Sequence, residues 1–201
     1  MSSKKRFCVV GLGNPGPKYE GTRHNIGFEW IESILNSKEF SNAQKLSEKF
    51  QSLWCRADWQ DHEVHFLLPQ TYMNESGKAV SEWKQKFQGE SEILVAFDDM
   101  DIPLGRLRYR AEGSDGGHRG LRSIIEHLGT QEVPRLRIGI GRPVDQSIDH
   151  VLSRFTPDEK KILKPLLAEA PEQLKIWLTE KTELCMNKLN AKDFRPKTEQ
   201  E

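Results

Sequence analysis

The sequence predicts an α/β fold, a single domain in which a mixed, twisted β-sheet carries helices on both faces. Three observations carry that expectation. Short apolar stretches such as Phe7 to Leu12 and Ile93 to Phe97 read as buried strands. Between them, apolar residues recur at helical spacing, and strands alternating with helices imply a covered sheet. A chain of 201 residues with 36% hydrophobic content suits one core. The domain is expected over residues 1–195, with a polar, disordered tail at 196–201.

Taken in order, the first strand ends at the turn-forming run Gly13-Asn14-Pro15-Gly16-Pro17. Ile26, Trp30, Ile31, Ile34 and Leu35 then share one helical face, so a helix follows His24-Asn25. Gln51 to Trp59 and Glu63 to Leu68 form two strands around Gln60-Asp61-His62. Asn74 can cap a helix with Val80, Trp83 and Phe87 on one face. Ile93 to Phe97 runs into Asp98-Asp99-Met100-Asp101. Arg106, Arg108 and Arg110 alternate with Leu107 and Tyr109, which places the guanidinium groups on one side of a strand. Leu121, Ile124, Ile125 and Leu128 make an amphipathic helix closed by Gly129, and Leu136 to Gly141 is the last clear strand. Thr156-Pro157-Asp158-Glu159 combines a capping box with proline at the first helical position, and Pro165 and Pro171 should kink or split the helix that starts there.

Composition excludes several classes. The apolar stretch after the basic Met1 to Arg6 meets Gly11 at once, too short for a signal sequence. No run approaches the roughly 20 apolar residues of a membrane helix, so a cytoplasmic protein with no membrane association is expected. Cys8, Cys55 and Cys185 lack the spacings of zinc sites or disulfide frameworks and read as reduced packing residues. Lysine plus arginine equals aspartate plus glutamate at 30 each, but the charge is unevenly spread. Between Arg106 and Arg142 there are eight arginines, four acids and no lysine. Such a segment either binds anions through bidentate guanidinium contacts or is a solvated, salt-bridged surface.

Gly11-Leu12-Gly13-Asn14-Pro15-Gly16 matches the spacing of a dinucleotide fingerprint. That fingerprint opens directly into a long helix, which Pro17 and Gly21 interrupt here. There is no Gly-x-Ser-x-Gly elbow, and Cys8 has no adjacent base, so no covalent nucleophile is evident. What remains is His24 and His118 in glycine-rich turns, Asp98 at a strand end, and Asn14 and Asn74. Each alone also suits a local structural role in a turn or cap. Together they supply a base, a carboxylate to orient it and amides for a carbonyl oxygen, the groups that water-mediated ester hydrolysis needs.

Val10 to Gly16, Thr22-Arg23-His24-Asn25-Ile26-Gly27, Met73 to Val80, Asp98 to Gly105, Gly116-Gly117-His118 and Arg135 to Gly141 occur in one order along the chain. In that order they resemble the signatures of the bacterial-type peptidyl-tRNA hydrolase family. The resemblance implies hydrolysis of the ester between a peptide and tRNA, returning tRNA to translation, with no metal and no organic cofactor. It implies that His24 is the catalytic base, that Asp98 holds its imidazole, and that Asn14 and Asn74 position substrate or water. Tyr19 and Met73 would line the cleft, and His118 would lie on a loop over the peptide channel. Arg110 and Arg137 would grip phosphate at the tRNA acceptor end, and the protein is expected to act as a monomer. One position departs from the pattern: Arg119 stands where the family usually has asparagine, and arginine only donates hydrogen bonds. A non-catalytic RNA-binding relative, as in chloroplast intron splicing, is the alternative, and retention of His24 and Asp98 argues against it.

Overall fold

The computed structural model describes residues 4–143 and 149–196. All of the polar tail except Pro196 lies outside the described residues. Seven strands form one sheet: β1 (Lys5–Gly11), β2 (Ser47–Lys49), β3 (Ser52–Trp59), β4 (His62–Pro69), β5 (Ser91–Asp99), β6 (Leu107–Arg110) and β7 (Arg135–Gly139). Their order is β2-β3-β4-β1-β5-β7-β6. The central strands β4, β1, β5 and β7 are parallel, β3 and β6 run antiparallel to them on either side, and β2 pairs antiparallel with β3 at one edge.

The helices are α1 (Ile26–Leu35), α2 (Ser76–Lys86), α3 (Arg119–Leu128), α4 (Asp149–Leu152), α5 (Pro157–Ala168), α6 (Ala170–Thr179) and α7 (Thr182–Asn190). Side chains alternate across the sheet with a period of two, so each strand feeds two cores. Phe7 and Val9 of β1 join Leu94 and Ala96 of β5 beneath α1 and α5 to α7. Cys8 and Val10 join Val95 and Phe97 on the other face, against α2 and α3. Helices therefore cover both faces, as the alternation of elements implies.

Several local expectations hold for identifiable reasons. The Thr156 hydroxyl accepts from the Glu159 N–H and the Glu159 carboxylate accepts from the Thr156 N–H, completing the capping box of α5. The proline-rich stretch splits at Glu169, with Pro171 in the first turn of α6, where its missing N–H costs nothing. Gly129 ends α3 at φ 69°. Gly11 is required by close approach, since a Cβ there would lie 2.3 Å from the Gly27 carbonyl oxygen. The glycine run thus lets α1 press onto β1 and does not open a helix, because α1 begins only at Ile26.

Other expectations are corrected. Asn74 does not cap α2: it lies exposed in a 3-10 turn, Met73–Glu75, and the helix starts at Ser76 without a side-chain cap. α3 begins at Arg119, two residues earlier than its apolar spacing suggests, because the His118 side chain caps it. The short strand β2 and helices α4 and α7 carry too few periodic apolar residues to be read from sequence.

Candidate active site

The parallel strands β1, β4, β5 and β7 end at one edge of the sheet, where loops from an α/β fold form sites. Asp98 is the penultimate residue of β5 and its side chain is 2% exposed. The 3-10 turn Arg23–Asn25, which precedes α1, brings His24 Nδ1 to 2.8 Å from Asp98 Oδ1. His118, at the start of α3, brings its Nε2 to 3.1 Å from the same oxygen. The two imidazole rings are 5.2 Å apart, centroid to centroid.

The hydrogen bonds settle the tautomers. His118 Nδ1 accepts from the Leu121 N–H at 3.2 Å, so its proton sits on Nε2 and is donated to Asp98. Burial by itself would raise the Asp98 carboxyl, but the bonds from His118 and His24 outweigh it and hold the group below the usual carboxylate range. An ionised Asp98 can only accept, so His24 donates from Nδ1 and keeps a lone pair on Nε2. That arrangement leaves one basic nitrogen available, on the more exposed of the two rings. His24, Asp98 and His118 also offer three metal-ligand atoms within 4.8 Å of one another. Those atoms are joined by the two bonds to Asp98 Oδ1, and a metal there would displace both shared protons.

The asparagines are placed differently from each other. Asn25, in the turn that carries His24, grips Asn14 at both backbone groups: its Oδ1 accepts the Asn14 N–H at 2.9 Å and its Nδ2 donates to the Asn14 carbonyl at 3.0 Å. The Asn14 Oδ1 accepts the Met73 N–H at 2.8 Å, which leaves its Nδ2 as the donor not used within the described residues. Met73 is buried, and its sulfur lies where a side chain on Gly120 would project. Asn74 follows it, exposed and without a side-chain hydrogen bond among the described residues. Tyr19 is half-buried in the segment that Thr22 closes by donating its hydroxyl to the Tyr19 carbonyl. Sequence reasoning singled out Asn14 and His24 but missed Asn25, whose only signal was its place beside the histidine.

The arginine segment divides by environment. Arg108 opposes Arg137, and Arg110 opposes Arg135, across the β6–β7 pair. Arg135 is buried and donates to the carbonyls of Gln131, Val133, Gly113 and Ser114, so it holds loops together. Arg137 is paired with Asp99, Arg106 with Asp193, Arg122 with Asp115 and Arg142 with Asp101. Arg108, Arg110 and Arg119 are exposed, with no acidic partner among the described residues. The three cysteines are buried, and burial pushes the Cys55 thiol up to about 11 and Cys185 to about 12, far from a reactive thiolate.

The peptidyl-tRNA hydrolase family model matches residues 8–197. The peptidyl-tRNA hydrolase of Desulforamulus reducens is 44% identical over 186 residues, covering 92% of this chain and 89% of its own length. That of Chloroflexus aggregans is 43% identical, covering 92% and 98%. The crystal structure of peptidyl-tRNA hydrolase from Acinetobacter baumannii superposes with a TM-score of 0.85 at 33% identity, over 97% of this chain and 99% of that one. With its fold and nearly its whole length matched, the chain belongs to the peptidyl-tRNA hydrolase family of enzymes.

Proposed function

We propose that this enzyme hydrolyses the ester bond between a peptide, or an N-blocked amino acid, and tRNA by activating water directly with His24. The observation that carries the reading is the bond from His24 Nδ1 to a buried, ionised Asp98, which leaves His24 Nε2 without a hydrogen bond among the described residues. His24 takes a proton from water and the water oxygen attacks the ester carbonyl. The Asn14 Nδ2 and the Asn74 amide donate to the oxyanion. As the tetrahedral intermediate collapses, the carbon–oxygen bond to the ribose breaks and the imidazolium returns its proton to the leaving hydroxyl. Asp98 stabilises the imidazolium meanwhile, with no proton transfer to itself.

Tyr19 and Met73 line the cleft, and the substrate is held through phosphates and with little sequence preference. Arg110 and Arg108 supply exposed guanidinium groups for that purpose. Arg137 contributes less, since Asp99 already neutralises it. Arg119, on the first turn of α3, adds a donor for the ester carbonyl or the terminal phosphate where backbone N–H groups already favour an anion. On this reading Arg119→Ala lowers kcat/KM about tenfold and Arg119→Asn recovers part of it, while kinetics within about twofold of wild type would contradict the role. We place the enzyme in the cytoplasm as a monomer. The reading as a whole is tested by offering N-blocked and unblocked aminoacyl-tRNA to the wild type and to His24→Ala. Release from neither substrate by the wild type would refute it and favour a binding protein.

A further inference from the structure

The residue next to the base carries a charge that the reaction leaves without a role. Arg23 is 5% exposed. Its Nε donates to Ser153 Oγ at 3.1 Å and its Nη2 to Glu159 Oε2 at 2.9 Å. The guanidinium lies over the Phe155 ring, 4.7 Å from the centroid. The backbone adds a bond from the Arg23 N–H to the Ser153 carbonyl at 3.0 Å and a bridge between Thr22 and Arg154. Nη1 is buried with no hydrogen-bond partner among the described residues.

Burying a guanidinium with one nitrogen unsatisfied is a costly way to fasten a turn to a helix, and apolar packing does so more cheaply. What a guanidinium adds is a planar fork that fixes orientation as well as distance. The Glu159 oxygen that Arg23 uses also accepts the Thr156 N–H, so one atom joins the turn of the base to the capping box of α5. His24 is thereby held from two directions: Asp98 fixes its ring, and the segment 153–159 fixes the residue before it.

We propose that Arg23 is a positioning residue for the hydrolytic step. Gripped by Ser153, Phe155 and Glu159, it sets where His24 Nε2 meets the attacking water and makes the start of α5 part of the catalytic apparatus. The proposal rests on His24 being the base. Its test is steady-state kinetics on N-acetylated aminoacyl-tRNA with Arg23→Met, Arg23→Lys and Glu159→Gln, each also combined with His24→Ala. Leu166→Ala serves as a comparator, because Leu166 is buried in α5 and touches none of these groups by hydrogen bond.

Arg23→Met is expected to lower kcat by about tenfold or more with KM changed by less than about threefold, and Arg23→Lys to restore part of the loss. Leu166→Ala should lower Tm without that loss of kcat. In the His24→Ala background, Arg23→Met should cost less than about twofold more, since its effect runs through the imidazole. A kcat within about twofold for Arg23→Met, or an undiminished loss when His24 is already absent, overturns the proposal. If Arg23→Met does not fold, Arg23→Lys and Glu159→Gln decide it, and wild-type kcat in both overturns it. Wild-type turnover in His24→Ala alone would overturn the base assignment and this proposal together, whereas an inactive His24→Ala beside a fully active Arg23→Met overturns only the proposal.

Discussion

At the scale of single residues, the site turns on how one carboxylate oxygen is shared. Asp98 Oδ1 accepts from both His24 and His118, and of these two rings only His24 keeps a nitrogen without a hydrogen bond among the described residues. His118 therefore supports the carboxylate from the glycine-rich turn that leads into α3. Replacing it by alanine removes one of the two bonds that hold Asp98 ionised and also the cap of α3, a loss of roughly 1 kcal/mol in helix stability. We expect His118→Ala to lower kcat more than KM, because the carboxylate that orients His24 is then fixed by one hydrogen bond fewer. A kcat within about twofold of wild type would show that His118 only caps the helix. Asp98 and His24 were legible in the sequence because a carboxylate at a strand end and an imidazole in a glycine-flanked turn are chemically distinctive. The tautomer of His118, the grip of Asn25 on Asn14 and the burial of Arg23 were not, because each depends on contacts between segments far apart in the chain.

At the scale of elements, apolar periodicity marked the central strands and the longer helices, since both of their faces or a full helical stripe are buried. It failed for β2, whose three residues at the sheet edge are half-buried or exposed, and for α7, which buries only Cys185 and Leu189. The β6–β7 edge shows the limit for charge. Alternation correctly put Arg108 and Arg110 on the exposed side of β6, but nothing in the sequence separates them from Arg135, whose guanidinium is consumed by four carbonyl groups. Phosphate binding should follow that division. Arg108→Ala and Arg110→Ala are each expected to raise KM for tRNA more than they lower kcat, and to flatten the log–log salt dependence by about one unit. Arg137→Ala should change the salt slope less and lower Tm, because it leaves Asp99 without its partner. Equal salt slopes in wild type, Arg108→Ala and Arg110→Ala would identify a merely solvated strand.

At the scale of the whole molecule, stability should respond to pH through groups remote from the chemistry. Burial, with help from Glu32 and against Lys160, pushes the Glu29 carboxyl up to about 7. A raised carboxyl favours the folded state when protonated, so its contribution is complete below about 4.5 and is lost as pH rises through 7. Glu29→Gln should therefore raise Tm at pH 8 and leave it nearly unchanged at pH 4.5, with an upper bound of about 3 kcal/mol for the difference. A Tm gain independent of pH would point to packing instead. None of this touches the site, where the sheet edge, the turn of His24 and the cap of α3 converge on Asp98. The most direct measurement of that convergence is single-turnover release of tRNA by His24→Ala, with tRNA affinity measured on the same protein. Direct activation of water by His24 predicts a loss of about 10² to 10⁴ in rate at unchanged affinity. A rate within about tenfold of wild type, or a peptide trapped covalently on the enzyme, would contradict it.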